Sequence, residues 1–280
     1  MKKLLLLSIA LMVIMTACRS AGSDESQALS IAYPDADPAA VTLNARTGAI
    51  IITPSDVSGV SGSATTNVDA WRPRISTSGN AITIEQGTSS ASVIPSASNQ
   101  WDIRLGADAP LTLTINAGAA HTTADLSGLD LRGLTASATT GRFDLRYDRP
   151  HLGPDGGSAV LSLASGAVNA TGLLNSRLSR LQITTAGGEQ TLTFDGEGLA
   201  QDMTVSLQTT VGNVLLNIPA ELPAQVTYRT TSGRVRELDP QYTQVNEITY
   251  ASADYAASDG PRLTIEIRTV FGDLRLAGVR

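Results

Sequence analysis

One short phrase recurs along the second half of the chain: "QTTVGNV" at residues 208–214, "RTTSGRV" at residues 229–235 and "RTVFGDL" at residues 268–274. Each copy has a glycine two positions before an apolar residue and a threonine three positions before the glycine. A phrase that returns at similar spacing is typical of a repeat protein, in which every copy builds the same structural unit.

The same frame extends over most of the chain when each glycine is taken as position zero. Positions −7 and −5 are apolar in every copy, whereas positions −6 and −4 contain one apolar residue, Val160. This strict alternation is typical of a half-buried strand and does not fit a helix. The glycines of the frame are Gly48, Gly118, Gly141, Gly166, Gly188, Gly212, Gly233 and Gly272.

Each glycine is predicted to be a corner between two strands, because glycine adopts positive φ without steric cost. From Gly118 to Gly233 the steps between corners are 21–25 residues long. The phrase returns around Gly79 with its alternation slipped by one residue, and we expect a bulge or a bend there.

Units of this kind fit an antiparallel meander or barrel, with each unit a hairpin, or a β-solenoid, with each unit one coil. Repetition of aliphatic and threonine positions favours the solenoid, since equivalent positions then stack on one another. The fold prediction is therefore an all-β, single-stranded β-solenoid of roughly 23-residue coils. It covers residues 31–280.

The N-terminal stretch "MKKLLLLSIALMVIMTAC" indicates a targeting signal. Its apolar run is too short to cross ~30 Å of hydrocarbon and suits a signal peptide. The residues before Cys18 resemble a bacterial lipobox, which implies cleavage and diacylation of Cys18. We expect a lipoprotein signal peptide over residues 1–17 and a polar tether over residues 18–30. The alternatives are an ordinary secretory signal and an uncleaved anchor.

Composition restricts the class of protein. Apolar residues make up 42% of the chain and aromatic residues only 4%, so the core is predicted to be aliphatic. Both lysines lie in the signal, and the remaining 18 arginines face 26 acidic residues. This acidic balance argues against a nucleic-acid partner. Cys18 is the only cysteine, so no disulfide can form within the chain.

The sequence contains no recognisable catalytic motif. The two histidines, His121 and His151, are thirty residues apart and are interpreted as solvated loop residues. Catalytic residues, metal ligands and cofactors are therefore predicted to be none, and the protein is not expected to be an enzyme.

A charged cluster follows the corner glycine Gly141. It is interpreted as a solvated strand face with cross-strand ion pairs. The alternative is the pair of carboxylates used in glycoside hydrolysis, but nothing in the spacing selects such a pair. The cluster consists of Asp144, Arg146, Asp148 and Arg149.

An insertion interrupts the repeat between Gly233 and Gly272, which are 39 residues apart. The extra stretch, Asp239–Gly260, carries Tyr242, Tyr250 and Tyr255. Insertions in solenoids form loops on one face, often the binding face, so these tyrosines are the candidate binding loop. The alternative is a cap that closes the open end of the stack.

The stretch "WDIRLGADAPLTLTINAGAAHTTADLSGLDLRGLTASATTGRFDL", residues 101–145, resembles the bacterial toast-rack and "putative adhesin" domain families. The family pattern PLxL, GA and DLSGLxLxxL is matched at residues 110–134, and "TTxGxV" phrases follow it. The resemblance implies a single-stranded β-helix domain, often borne by lipoproteins, with no established enzymatic activity.

These observations predict a lipid-anchored protein of the cell envelope, outside the cytoplasm and on the outer membrane where one is present. The expected role is an adhesin-like binding or scaffold module. Its expected partners are the membrane, through lipidated Cys18, and an envelope protein or glycan. The alternatives are an accessory of envelope-stress signalling and a polysaccharide-processing β-helix enzyme.

Overall fold

The computed structural model describes residues 22–89, 94–153 and 156–279. These residues form nineteen strands and two short 3₁₀ turns, Asp69–Trp71 and Leu173–Ser176, without an α-helix. The prediction of an all-β fold is confirmed. Within the described ranges, no helix has the length and apolar character needed to cross a bilayer. The predicted signal peptide and Cys18 lie outside the described residues.

Strands account for most of the described chain. They are β1 (Glu25–Ile31), β2 (Ala39–Ser55), β3 (Val60–Thr66), β4 (Pro73–Ser78), β5 (Ala81–Gln86), β6 (Asn99–Gly106), β7 (Leu111–Asp125), β8 (Leu131–Arg146), β9 (Gly157–Thr171), β10 (Leu178–Gly187), β11 (Gln190–Thr193), β12 (Met203–Val211), β13 (Val214–Pro219), β14 (Ala224–Ser232), β15 (Val235–Leu238), β16 (Tyr242–Asn246), β17 (Thr249–Ser252), β18 (Leu263–Phe271) and β19 (Leu274–Val279).

Each repeat unit consists of two strand segments joined at a corner. We call the segment before the corner the first arm and the segment after it the second arm. In β2, β7, β8 and β9 one long strand runs through the corner. In later units the corner separates two strands, as in the pairs β10/β11, β12/β13, β14/β15 and β18/β19. First arms pair with first arms and second arms with second arms, always in parallel.

The predicted frame matches the observed register in all but one unit. Leu181 pairs with Ala159 and with Val205, which all occupy position −7. The exception is the unit of Gly118, because Ala120, not Gly118, pairs with both Gly48 and Gly141. The corner of this unit was therefore predicted two residues too early, a shift that leaves the inward and outward faces unchanged.

The single-stranded solenoid is not confirmed, because the strands belong to one mixed sheet of 19 strands. The units also do not stack in chain order. The C-terminal unit β18/β19 lies between β12/β13 and β14/β15, and β2 lies between β7 and the strands β5 and β6.

Antiparallel strands cover both arms at the N-terminal end of the stack and the first arm at the other end. At the N-terminal end β4 pairs with β5, β3 with β6 and β1 with β3. The bend expected at Gly79 is the turn between β4 and β5, where Gly79 has a φ of 58°. At the other end β17 pairs with β14 and β16 pairs with β17. Proline at the start of β4 and bulges in β15 and β16 make these edges poor templates for further pairing.

The core lies between the two arms of the stacked units. Alternate side chains from both arms point inward, and Leu43, Leu207 and Ile267 are fully buried. Threonine replaces the aliphatic residue at position −3 in the C-terminal half, where the Oγ1 atoms of Thr185 and Thr209 are 3.0 Å apart. These two hydroxyls thus satisfy one another inside the stack, whereas the buried Oγ1 atoms of Thr230 and Thr269, at the same position of the next units, have no hydrogen-bond partner among the described residues.

Part of the stretch predicted as a tether lies in the described body. Strand β1 starts at Glu25, and the Gly22 N–H already donates to the Asn67 carbonyl at 2.8 Å. The hydroxyl of Ser98 also donates to the Asp24 carboxylate at 2.7 Å.

Candidate functional site

The inserted stretch between Gly233 and Gly272 forms a β-hairpin from β16 and β17. Strand β17 pairs antiparallel with β14, the outermost first arm at this end of the stack. The hairpin therefore covers the free edge of β14. Tyr242 and Tyr250 lie in these strands and are only 3% and 9% exposed. Burial, with a smaller contribution from Asp239, raises the pKa of Tyr242. Two of the three predicted binding-loop tyrosines thus face the core, as the capping alternative requires.

Tyr255 lies beyond the hairpin and is half-buried. Its hydroxyl is 2.9 Å from the Thr264 hydroxyl, and the Arg262 guanidinium lies 5.7 Å from its ring centroid. The structure therefore does not bring the three tyrosines into one exposed surface. The exposed apolar residue of the hairpin is Val245, with 61% of its surface accessible. A binding role for the insertion stays a prediction.

The charged cluster lies on the outer face of the second arms. Asp144 accepts from Arg142 Nε at 2.6 Å and lies 2.7 Å from His121 Nε2. Arg146 bridges Asp125 at 2.7 Å and Asp148 at 3.1 Å. His121 thus lies on a strand face, not in a loop as the sequence indicated.

These pairings set the charge state of the two carboxylates. Partial burial alone would raise the pKa of Asp144, but hydrogen bonds from Arg142 and His121 outweigh it and lower the pKa. Burial is likewise outweighed at Asp125, whose pKa is lowered by hydrogen bonds from Ser127 and Arg146. Neither group is held protonated as a glycosidase general acid would be. The cross-strand pairs interpreted from the sequence are present as Asp125–Arg146 and His121–Asp144, and they are joined by Arg142–Asp144 and Arg146–Asp148, whose members are two residues apart in the chain.

Arg149 takes no part in these ion pairs and instead lines an open cleft of about 720 Å³. The cleft lies among the loops that follow second arms of successive units, so residues distant in sequence meet there. Its lining comprises Pro54, Ser55, Asp56, Ala107, Gly128, Arg149, Pro150, His151, Leu152 and Arg177. Sequence reasoning missed this cleft, because no motif links these loops and only the stacking order brings them together.

The Arg149 side chain is exposed and has neither an ion pair nor a hydrogen bond within the described ranges. It lies beside Gly128, where a Cβ would be 3.5 Å from Arg149 Cζ. Leu152, on the same loop, is 66% exposed. The cleft therefore presents an unpaired guanidinium, which suits a carboxylate or phosphate, next to an uncovered aliphatic side chain.

His151 fixes the loop that carries Arg149 and Leu152. It is 4% exposed, its Nε2 accepts from the Leu131 N–H, and the Gly153 N–H approaches Nδ1 at 3.1 Å. Burial lowers the pKa of His151; Asp130 opposes this effect, and Arg177 and Arg132 add to it. His151 is thus a buried structural residue and not the solvated loop histidine predicted from the sequence.

No group of three potential metal-ligating side chains occurs within residues 22–89, 94–153 and 156–279.

Three solved structures match over most of the chain, and one of them has a TM-score above 0.5. A "putative cell adhesion protein" from Clostridium sporogenes ATCC 15579 is 16% identical, with a TM-score of 0.55 over 92% of this chain and 100% of that chain. A "putative adhesin" from Bacteroides fragilis NCTC 9343 is 11% identical, with a TM-score of 0.43 over 91% and 97%. A "putative lipid binding protein" from Parabacteroides distasonis ATCC 8503 is 11% identical, with a TM-score of 0.31 over 92% and 98%.

The sequence also matches a family model, although none of the curated proteins matches it. The match covers residues 20–149 and is to the N-terminal domain of toast_rack, DUF2154. It includes the "PLTLTINAGAAHTTADLSGLDLRGL" stretch at residues 110–134, but the later "TTVGNV" and "TTSGRV" phrases lie beyond it. Residues 20–149 are thus similar to the toast_rack N-terminal domain, and the toast-rack and adhesin-family resemblance predicted from the sequence is confirmed.

Proposed function

We propose that the protein is a lipid-anchored, non-enzymatic component of the cell envelope, outside the cytoplasm, that acts as an adhesin-like binding or scaffold module. The lipobox-like residues before Cys18 support the anchor. Support for the binding role comes from the shared fold with a structure described as a "putative cell adhesion protein". The stack of in-register units supplies a rigid body on which surface loops can present a ligand site.

The unpaired Arg149 in the open cleft is the observation that carries the binding role. The acids of the neighbouring strand face are already engaged with arginines, whereas Arg149 has no such partner within the described ranges. A guanidinium binds carboxylate and phosphate groups with two parallel hydrogen bonds. The cleft therefore suits an anionic group of a surface glycan or protein, with Leu152 against its apolar part.

Binding to an anionic polymer tests this assignment. A uronic acid polymer should bind the native protein, and a neutral dextran should not. Arg149→Ala should weaken binding of the uronic acid polymer at least about tenfold, since a charge-assisted hydrogen bond contributes ~1.5–3 kcal/mol. Arg180→Ala removes another exposed arginine and should leave binding unchanged. Equal affinity of the Arg149→Ala and Arg180→Ala variants would reject the cleft as the binding site.

The anchor has its own test. Cys18→Ser should move the protein from the detergent phase to the aqueous phase and abolish labelling with radioactive palmitate, because acyl chains supply the membrane affinity. Palmitate labelling of the Cys18→Ser protein would contradict the lipoprotein assignment.

A further inference from the structure

Three exposed apolar side chains form a ridge beside the corner, at the end of the stack opposite β1. Val211 and Phe271 occupy position −1 of adjacent units and pair in register, and each is 53% exposed. Val270 precedes Phe271 and is 37% exposed. The other two phenylalanines, Phe143 and Phe194, are buried. We call Val211, Val270 and Phe271 the apolar ridge; such a cluster marks an interaction site more often than scattered exposed residues do.

Arginines flank the apolar ridge on both sides. Arg229 and Arg268 pair in register on the outer face of the first arms, and Arg234 lies just past the corner on the other side. The guanidinium groups of Arg229 and Arg234 have no partner within the described ranges, although the Arg234 backbone N–H donates to the Asp273 carboxylate, and Arg268 is 4.0 Å from Glu266. Asp273, just past the corner of the ridge's own unit, is paired with Arg236. Arginines therefore outnumber acidic side chains around the ridge in a protein whose net charge is negative.

The stacked corners form one edge of the body, which we call the corner edge. The start of β1 lies along the same edge as the apolar ridge. Glu25 pairs with Thr66, which pairs with Asn99, and the Asn99 carbonyl lies against the corner glycine Gly48. The corner column continues from Gly48 through Gly141 to Gly272, next to the ridge. At a strand spacing of 4.7–4.9 Å, β1 and β19 are roughly 40 Å apart along this edge.

The connection between Cys18 and this edge is short. Because Gly22 is already hydrogen-bonded to Asn67, only four residue steps separate it from Cys18. Four fully extended residues span at most about 14 Å. A lipid on Cys18 would hold the N-terminal end of the corner edge close to the headgroups, whereas a tether to residue 30 would let the body move freely.

We propose that the anchored protein lies with its corner edge along the bilayer, held by the lipid on Cys18 at one end and by the apolar ridge at the other. This inference rests on the proposed anchor. The ridge would enter the headgroup region, where apolar side chains are buried and flanking arginines meet anionic lipids. From the unit of Gly141 to that of Gly233, the two positions before each corner carry no charged side chain that would oppose this contact.

Quenching by nitroxide-headgroup lipids tests the contact. Because lipidation consumes the only cysteine, a single new thiol can be labelled with a fluorophore: Thr231→Cys beside the ridge or Glu247→Cys at the hairpin turn. On vesicles of phosphatidylethanolamine and phosphatidylglycerol, we expect quenching at position 231 to exceed that at position 247 several-fold. Combining Val211→Ser, Val270→Ser and Phe271→Ser should reduce quenching at position 231 to the level at position 247.

The outcomes separate the ridge from the anchor. Equal quenching at the two positions, or no effect of the triple serine variant, would overturn the ridge proposal. Failure of the lipidated protein to float with vesicles would overturn the anchor instead. In that case the protein can be attached to nickel-chelating lipid through a His-tag that replaces residues 1–18. This attachment keeps the short connection to the body. If the ridge proposal is right, the quenching pattern should be the same.

Discussion

Gly166 lies directly against the carbonyl oxygen of Gly141 in the neighbouring unit. A Cβ added to Gly166 would be 1.9 Å from that oxygen, and Gly188 has the same relation to Gly166. The φ of Gly166 is 147°, a conformation that L side chains rarely adopt. Glycine is therefore required here both for the turn and for the close approach of adjacent units, so these residues are architectural.

Gly166→Ala should strongly destabilise the stack. We expect the free energy of unfolding in a denaturant melt to fall by at least about 3 kcal/mol, since backbone strain adds to the clash with Gly141. Gly198→Ala is the matched control, because Gly198 has a φ of 120° but no atom within 4 Å of the added Cβ. Similar losses for the two variants would show that close stacking at the corner contributes little.

The inward and outward faces of the strands predict different losses of stability for substitutions at two neighbouring residues. Leu207 is fully buried, whereas its neighbour Gln208 is exposed. Leu207→Ala should lower the free energy of unfolding by ~2–4 kcal/mol because it leaves a cavity in an aliphatic core. Gln208→Ala should change it by less than ~0.5 kcal/mol. Equal shifts in denaturant midpoint would mean that the two faces are misassigned.

The repeat could be predicted from the sequence because its positions are fixed by local chemistry. The alternation around Gly212 and Gly233 identifies the buried face, and the glycine identifies the corner. The error at Gly118 has a physical cause: Ala120 occupies the corner there without requiring positive φ. The sequence frame therefore assigns the corner to Gly118, two residues earlier. Because the shift is two residues, the same side chains are still predicted to point inward.

Other features depend on which units become neighbours, and a repeat period does not specify this. Because equivalent units offer similar edges, nothing local indicates that β18 inserts between β12 and β14. The cleft has the same origin, since Asp56, Gly128 and Arg149 come from separate loops. Burial of Tyr242 likewise follows from hairpin pairing with β14, and tyrosine composition alone suggested either a binding loop or a cap.

His151 should make stability depend on pH below about pH 6.5. Its folded-state pKa is lowered from 6.5, mainly by burial, so the unfolded chain binds the proton more tightly. Stability is then fully present above pH 6.5 and falls as the pH decreases toward the folded-state pKa. Denaturant melts between pH 7.5 and pH 5, at intervals of about half a pH unit, would measure the fall.

Two variants identify the group responsible. His151→Gln should lower stability at pH 7.5 but remove most of the slope between pH 6.5 and pH 5. His121→Gln, at the only other histidine, should keep that slope. A slope that persists unchanged in His151→Gln would assign the pH dependence to other groups.

The hairpin insertion gives the last prediction, which separates a cap from a binding loop. Replacing Tyr242, Tyr250 and Tyr255 together by serine should lower the melting temperature markedly, because two of these rings are buried against the core and each large aromatic loss costs ~3–5 kcal/mol. Val245→Ser changes the exposed part of the same hairpin and should leave the melting temperature unchanged. A pull-down with cell-surface material on both variants completes the test. If the triple variant melts normally but loses its binding, the insertion is a binding loop and its tyrosines are not part of a cap.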